Sequence, residues 1–95
     1  MLIALSNYTK SLEEVDSHRN SHIDYIKNLV STQKLLAAGR QIPATGAVII
    51  AKNISLDEFK KILADDPYCK AGVAEYKIIE FHPTLCDESF RTLMA

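Results

Sequence analysis

The chain has 95 residues, enough for one domain with its own apolar core and too few for two. Hydrophobic residues make up 47% and charged residues 24%, which excludes a disordered segment. With 11 basic and 12 acidic side chains the formal net charge is -1, so no excess of positive charge draws the chain to a nucleic-acid backbone.

The first apolar run, Leu2-Ile3-Ala4-Leu5, stops at Ser6-Asn7 and is far shorter than a signal-peptide core or a membrane span. A cytoplasmic protein without membrane association is expected. Cys69 and Cys86 show no Cys-x-x-Cys spacing and read as free thiols.

Leu2 to Tyr8 reads as an opening strand, apolar on both faces at its start. Ser11-Leu12-Glu13-Glu14 matches a capping box, and a helical stretch follows to about Thr32. Wound at about 100° per residue, Leu12, Val15, His22, Ile26, Leu29 and Val30 share one side, while Ile23 lies at its edge. Asp24, Lys27, Asn28 and Ser31 fall on the other side. Arg19 projects near the stripe, where an unpaired charge is costly, so a bend or restart near Asn20 is expected to leave Arg19 and His22 beside a cleft.

Leu35-Leu36-Ala37-Ala38 begins a second strand, and Gly39 to Gly46 reads as a turn rich in breakers. Ala47 to Ala51 is a third, continuously apolar strand. Ser55-Leu56-Asp57-Glu58 is a second capping box, opening a helix with Leu56, Phe59, Ile62 and Leu63 on one face. Pro67 stops this helix, because the residue before a proline is driven out of the helical region. Val73 to Phe81 forms the last strand. Residues 83–95 form a C-terminal tail with room for one further helical turn.

Strand, helix, strand, strand, helix, strand in one 95-residue domain is the ferredoxin-like α+β order: a four-stranded antiparallel sheet with helices on one face. Strands as apolar as Val48-Ile49-Ile50 and Ile78-Ile79 need cover on the second face too. A homodimer packed sheet to sheet is therefore expected.

Two residues carry the functional reading. His22 stands on an apolar stripe where a hydrocarbon is expected, and Asp66 stands immediately before Pro67. Each also has a plain structural reading, His22 as a hydrogen-bonded core residue and Asp66 as a helix-ending turn residue. His18 and His22 have the spacing of two metal ligands on one helix, but no third ligand accompanies them and no metal is expected. Without a glycine-rich phosphate loop, no cofactor is expected either.

The order Arg19-x-x-His22, Leu35-Leu36-x-x-Gly39, Gly46 before a strand, Asp66-Pro67-Tyr68-x-x-Ala71-Gly72-Val73-x-Glu75 and Phe81 resembles the YCII-related (YciI-like) domain over nearly the whole chain. That resemblance implies a dimeric α/β barrel with a site centred on a His/Asp pair, carried here by His22 and Asp66. Enzymes similar to the family include one that removes chloride from a chlorinated hydroxyhydroquinone and, more distantly, muconolactone isomerases. Asn20 and Arg40 occupy positions where the family often has proline, and Arg40 brings charge to the mouth of a pocket.

Imidazole exchanges protons near neutral pH, and a carboxylate partner fixes its tautomer. With no nucleophile-elbow motif around Ser6, Ser21 or Cys69, elimination or isomerisation by proton transfer is favoured over hydrolysis. The expected enzyme is a lyase or isomerase acting on a cyclic or aromatic small molecule. His22 and Asp66 are its catalytic residues, and Arg19, Arg40, Tyr68 and Glu75 are its substrate contacts, with Glu75 equally readable as a charge at the dimer rim. The alternative is a non-catalytic dimeric module binding a small ligand or a protein in the same cavity.

Overall fold

Two continuous apolar runs become the central strands. A computed structural model describes residues 1–94, so Ala95, the last residue of the expected tail, lies outside the described residues. Strand β1 spans Leu2–Tyr8 and β3 spans Ala47–Ala51, both as the sequence predicts. They pair antiparallel, Ile3 opposite Ile50 and Leu5 opposite Val48. The edges are β2 (Leu35–Arg40) beside β3 and β4 (Ala74–Glu80) beside β1, giving the order β2-β3-β1-β4. Every pairing is antiparallel, and this is the ferredoxin-like α+β fold.

The first helical stretch is two helices, α1 (Leu12–Asp16) and α2 (Arg19–Ser31). Ser11 caps α1 by accepting the Glu14 amide at 3.2 Å, and the Ser17 hydroxyl donates to the Glu14 carbonyl at 2.6 Å. The restart thus falls at Ser17-His18, slightly before the predicted place. It turns Leu12 outward, which is 43% exposed although its spacing assigns it to the buried stripe.

Ser55 caps α3 (Leu56–Asp65) by accepting the Glu58 amide at 3.1 Å. Phe59 and Leu63 from this helix, with Ile26 from α2, pack on Leu2, Ala4, Ile49 and Ala51 of one sheet face. Pro67 ends α3 and also opens a four-residue helix, α4 (Pro67–Lys70), which the sequence reading does not contain. Proline suits the first helical position because its missing N–H has no intrahelical role there. Gly72, at φ 71°, then reverses the chain into β4. In the tail, α5 spans Glu88–Met94.

Strand β2 continues through Gly39 and Arg40, opposite Val48 and Ala47, where the sequence reading has a turn. The turn is confined to the residues between Arg40 and Ala47. Gly46 sits so close to β1 that an added Cβ would lie 1.8 Å from the Ser6 carbonyl oxygen. That approach lets the Ser6 hydroxyl accept the Ala47 amide at 2.8 Å and the Thr45 carbonyl accept the Tyr8 amide at 2.9 Å. It brings Arg40 to Tyr8.

The side chains of Ile3, Leu5, Val48, Ile50 and Ile79 alternate onto the sheet face opposite the helices. No helix among the described residues is long and apolar enough to cross a membrane.

Candidate functional site

Asp66 is fully buried, which makes its hydrogen bonds decisive. As the N-cap of α4 its Oδ1 accepts the Tyr68 amide at 3.0 Å. The same oxygen lies 2.7 Å from His22 Nδ1. Since Oδ1 is an acceptor toward a backbone N–H, Nδ1 is the protonated nitrogen of that pair. The Tyr76 hydroxyl donates to Oδ2. One carboxylate therefore has three donors, from α2, α4 and β4.

These bonds leave His22 Nε2 as the ring nitrogen without a protein hydrogen-bond partner among the described residues. The imidazole stacks on the Tyr68 ring at 3.9 Å between centroids and 7° between planes. Its side chain is 12% exposed, enough to meet a ligand and too little to rotate freely. Tyr68 meets Tyr8 edge to face at 6.0 Å, so ring orientation is fixed from both sides.

A cavity of about 330 Å³ opens beside this stack, within the range of small-ligand sites. Helix α2 contributes Arg19, His22, Ile23, Ile26 and Lys27 to its wall. Ala38, Gly39 and Arg40 come from β2, and Tyr8, Ala47, Ile49 and Tyr68 complete the lining. The Arg40 Nε donates to the Tyr8 hydroxyl at 3.1 Å, its Nη2 donates to Asp16 on α1, and its guanidinium carbon lies 5.5 Å from the Tyr8 ring centre. The Asp16 bond holds the guanidinium well above its ordinary proton affinity, with smaller support from Tyr8 against the cost of burial.

Burial is the main cause that raises the Tyr76 phenol far above the usual tyrosine range, and the negative charge of Asp66 and the bond to it add to this. Tyr76 stays a hydrogen-bond donor wherever the fold persists. The Tyr68 phenol is also raised, by burial first and by Tyr8 next, while nearby Arg40 opposes the shift.

Of the residues singled out by sequence, His22, Arg19, Arg40 and Tyr68 border one cavity, and Asp66 stands behind His22. Glu75 does not join them. It pairs opposite Asn7 and alternates with Ala74 and Tyr76, so it lies exposed on the other sheet face, two residues before Lys77. Lys27, placed on the far side of its helix by periodicity, borders the cavity instead. Its long side chain reaches around the edge of the stripe. Tyr8 and Tyr76 carry no motif in the sequence that marks them as functional. The one signal for Tyr76 is its two-residue spacing from buried Ala74, which turns it to the helix-covered face.

Among the described residues no group of three or more His, Cys, Asp or Glu side chains is arranged to hold a metal ion. The chain's own chemistry is that of an oriented imidazole at an open, partly apolar cavity with basic side chains around it.

The fold is similar to that of 5-chloro-2-hydroxyhydroquinone dehydrochlorinase from Burkholderia phenoliruptrix AC1100, solved in complex with 2,5-dihydroxybenzoquinone. The TM-score is 0.70 at 21% identity, covering 86% of this chain and 94% of that one. None of the curated proteins matches the chain. Residues 1–82 match the model of the YCII-related domain, and the chain belongs to that family.

Proposed function

We propose that the chain is a small cytoplasmic enzyme of lyase or isomerase type, moving a proton on a cyclic or aromatic small molecule. The observation that carries this reading is the 2.7 Å bond from His22 Nδ1 to buried Asp66, on a ring that borders the cavity. In the proposed step Nε2 takes a proton from a ring carbon or hydroxyl, and that electron pair becomes part of a new π bond. Either a leaving group such as chloride departs with its own pair, or the proton returns at another carbon. Asp66 stabilises the imidazolium formed and does not itself accept the proton. Loss of chloride from a hydroxylated ring, the activity named for the structural neighbour, belongs to this class.

We further propose that two copies pack through the sheet face bearing Ile3, Leu5, Val48, Ile50 and Ile79. An uncovered apolar sheet of this kind favours self-association. Glu75 and Lys77 then stand at the rim of that interface. Sedimentation at micromolar concentration is expected to show a dimer, and a monomer would refute this packing.

The decisive experiment is a screen of wild type beside His22→Ala on halogenated hydroquinones and muconolactone-like lactones. Removing a positioned acid/base group is expected to lower turnover by about 10²- to 10⁴-fold. A compound turned over equally by both proteins would remove His22 from the chemistry, and binding without turnover by wild type would make the cavity a ligand-binding module.

A further inference from the structure

We infer that Arg19, Lys27 and Arg40 select a ligand carrying negative charge on a flat apolar ring, a cyclic or aromatic carboxylate, with Lys27 as a specificity-determining contact. This rests on the reading of the cavity as the substrate site.

The charged side chains that border the cavity are all basic, in a chain whose net charge is -1. Local placement, not composition, produces this sign. Asp66 is engaged behind His22 by three donors and Asp16 by Arg40, while Asp24, on α2 one turn before Lys27, is exposed, does not border the cavity and forms no ion pair among the described residues. Arg19 and Lys27 form no ion pair among the described residues.

Their spacing shapes the ligand. Arg19 and Lys27 stand eight positions apart on helix α2, about 12 Å along the axis, and Ile23 and Ile26 lie between them. Ile23 is 43% exposed although it borders the cavity, so the slot is apolar between two cations. The facing wall is Ala38 and Gly39, small enough for a ring to lie flat against backbone. A neutral ring satisfies the apolar middle and leaves the cations with nothing in exchange for lost water. An anionic ring satisfies both.

Arg40 has a different part. Its Nε and Nη2 are held by Tyr8 and Asp16, which fixes the guanidinium plane and leaves Nη1 to donate to a ligand. Much of its charge is already balanced by Asp16, so Arg40 orients the anion while Arg19 and Lys27 supply the net attraction.

Equilibrium titration followed by amide NMR, with 2,5-dihydroxybenzoate and hydroquinone as probes, compares one ring with and without a carboxylate. Wild type is expected to bind the carboxylate at least about tenfold more tightly, and Lys27→Gln and Arg19→Gln each to erase about five- to tenfold of that preference while leaving hydroquinone unchanged. Both side chains are exposed at the cavity mouth, so the variants keep the fold. Equal affinity for the two probes, equal weakening of both by the variants, or no binding of either at millimolar concentration would overturn the inference. Because binding is read without turnover, a carboxylate preference in a chain that moves no proton leaves this inference standing while the enzymatic reading fails.

Discussion

The molecule has two interiors. One lies between α2, α3 and the central strands, where Ala4, Ile49 and Phe59 are fully buried and Leu2, Ala51 and Leu63 nearly so. The other lies under α1 and α4, where Val15, Tyr68, Val73 and Ala74 form a smaller cluster. Beside that second cluster the buried space holds a carboxylate, a phenol and an imidazole, joined by hydrogen bonds from three elements. The first region gains stability from apolar area removed from water. In the second, every buried polar atom needs a partner, and no buried side-chain nitrogen or oxygen among the described residues lacks one. A structure can thus hold a titratable pair rigidly at one end because the other end supplies most of the apolar burial.

Phe59→Ala should produce the largest effect on stability. It removes a fully buried ring at the centre of the first cluster and is expected to cost about 3–5 kcal/mol in urea unfolding. Phe59→Leu, which keeps most of the volume, serves where the alanine variant does not fold. In either variant the His22 ring resonances should remain those of wild type. A shifted imidazole would show that the two interiors are one cooperative unit and break the comparison.

Tyr76→Phe probes the polar network at smaller scale, from a ring that packs against the larger cluster. It strips Asp66 Oδ2 of its donor while keeping ring volume, so a buried lone pair is left unmet at a cost of about 1–3 kcal/mol. Tyr76 acts on the ligand only through Asp66 and His22. Turnover should therefore fall less than in His22→Ala, with the change in kcat rather than KM. An unchanged urea midpoint together with unchanged kcat would mean that Oδ2 needs no partner.

The apolar interior was legible in the sequence and the polar one only in part. Strands β1 and β3 follow from unbroken runs of hydrocarbon side chains, and Phe59, Ile62 and Leu63 from helical spacing behind a capping serine. These signals are local. His22 was visible because periodicity assigns its position to hydrocarbon, and Asp66 because it precedes a proline. The bond between them spans 44 residues and has no local signature. Arg40 read as a turn residue because Gly39 beside it looks like a breaker, yet on an edge strand glycine can pair with one neighbour and leave its other face bare. Glu75 reads from sequence as either a cavity residue or a charge at the dimer rim. Its alternation with Ala74 and Tyr76 turns it away from the cavity, a signal that is local, whereas its reading as a cavity residue comes from the family resemblance.

The smallest expected effect lies at alkaline pH and compares two phenols that both pack against the larger cluster, one bonded to backbone and the other to Asp66. Tyr25, on α2, packs against the larger cluster and donates to the Ile62 carbonyl at 2.7 Å. Burial first, then the negative charges of Asp65 and Asp66, push its phenol up to about 12. A tyrosine whose folded value is raised favours the folded state fully below the unfolded value of about 10, and that contribution is lost as pH rises from there through the folded value. For Tyr25 the loss runs from about pH 10 to about 12. Tyr76 shifts in the same direction and further, so its loss begins at the same unfolded value and continues to higher pH. Tyr25→Phe should accordingly unfold in urea with a shallower fall in stability between about pH 10 and 12 than wild type, and Tyr76→Phe should show the same shallowing, continuing to higher pH. Parallel curves for wild type and Tyr25→Phe would mean that burial and the neighbouring charges of Asp65 and Asp66 do not hold this proton.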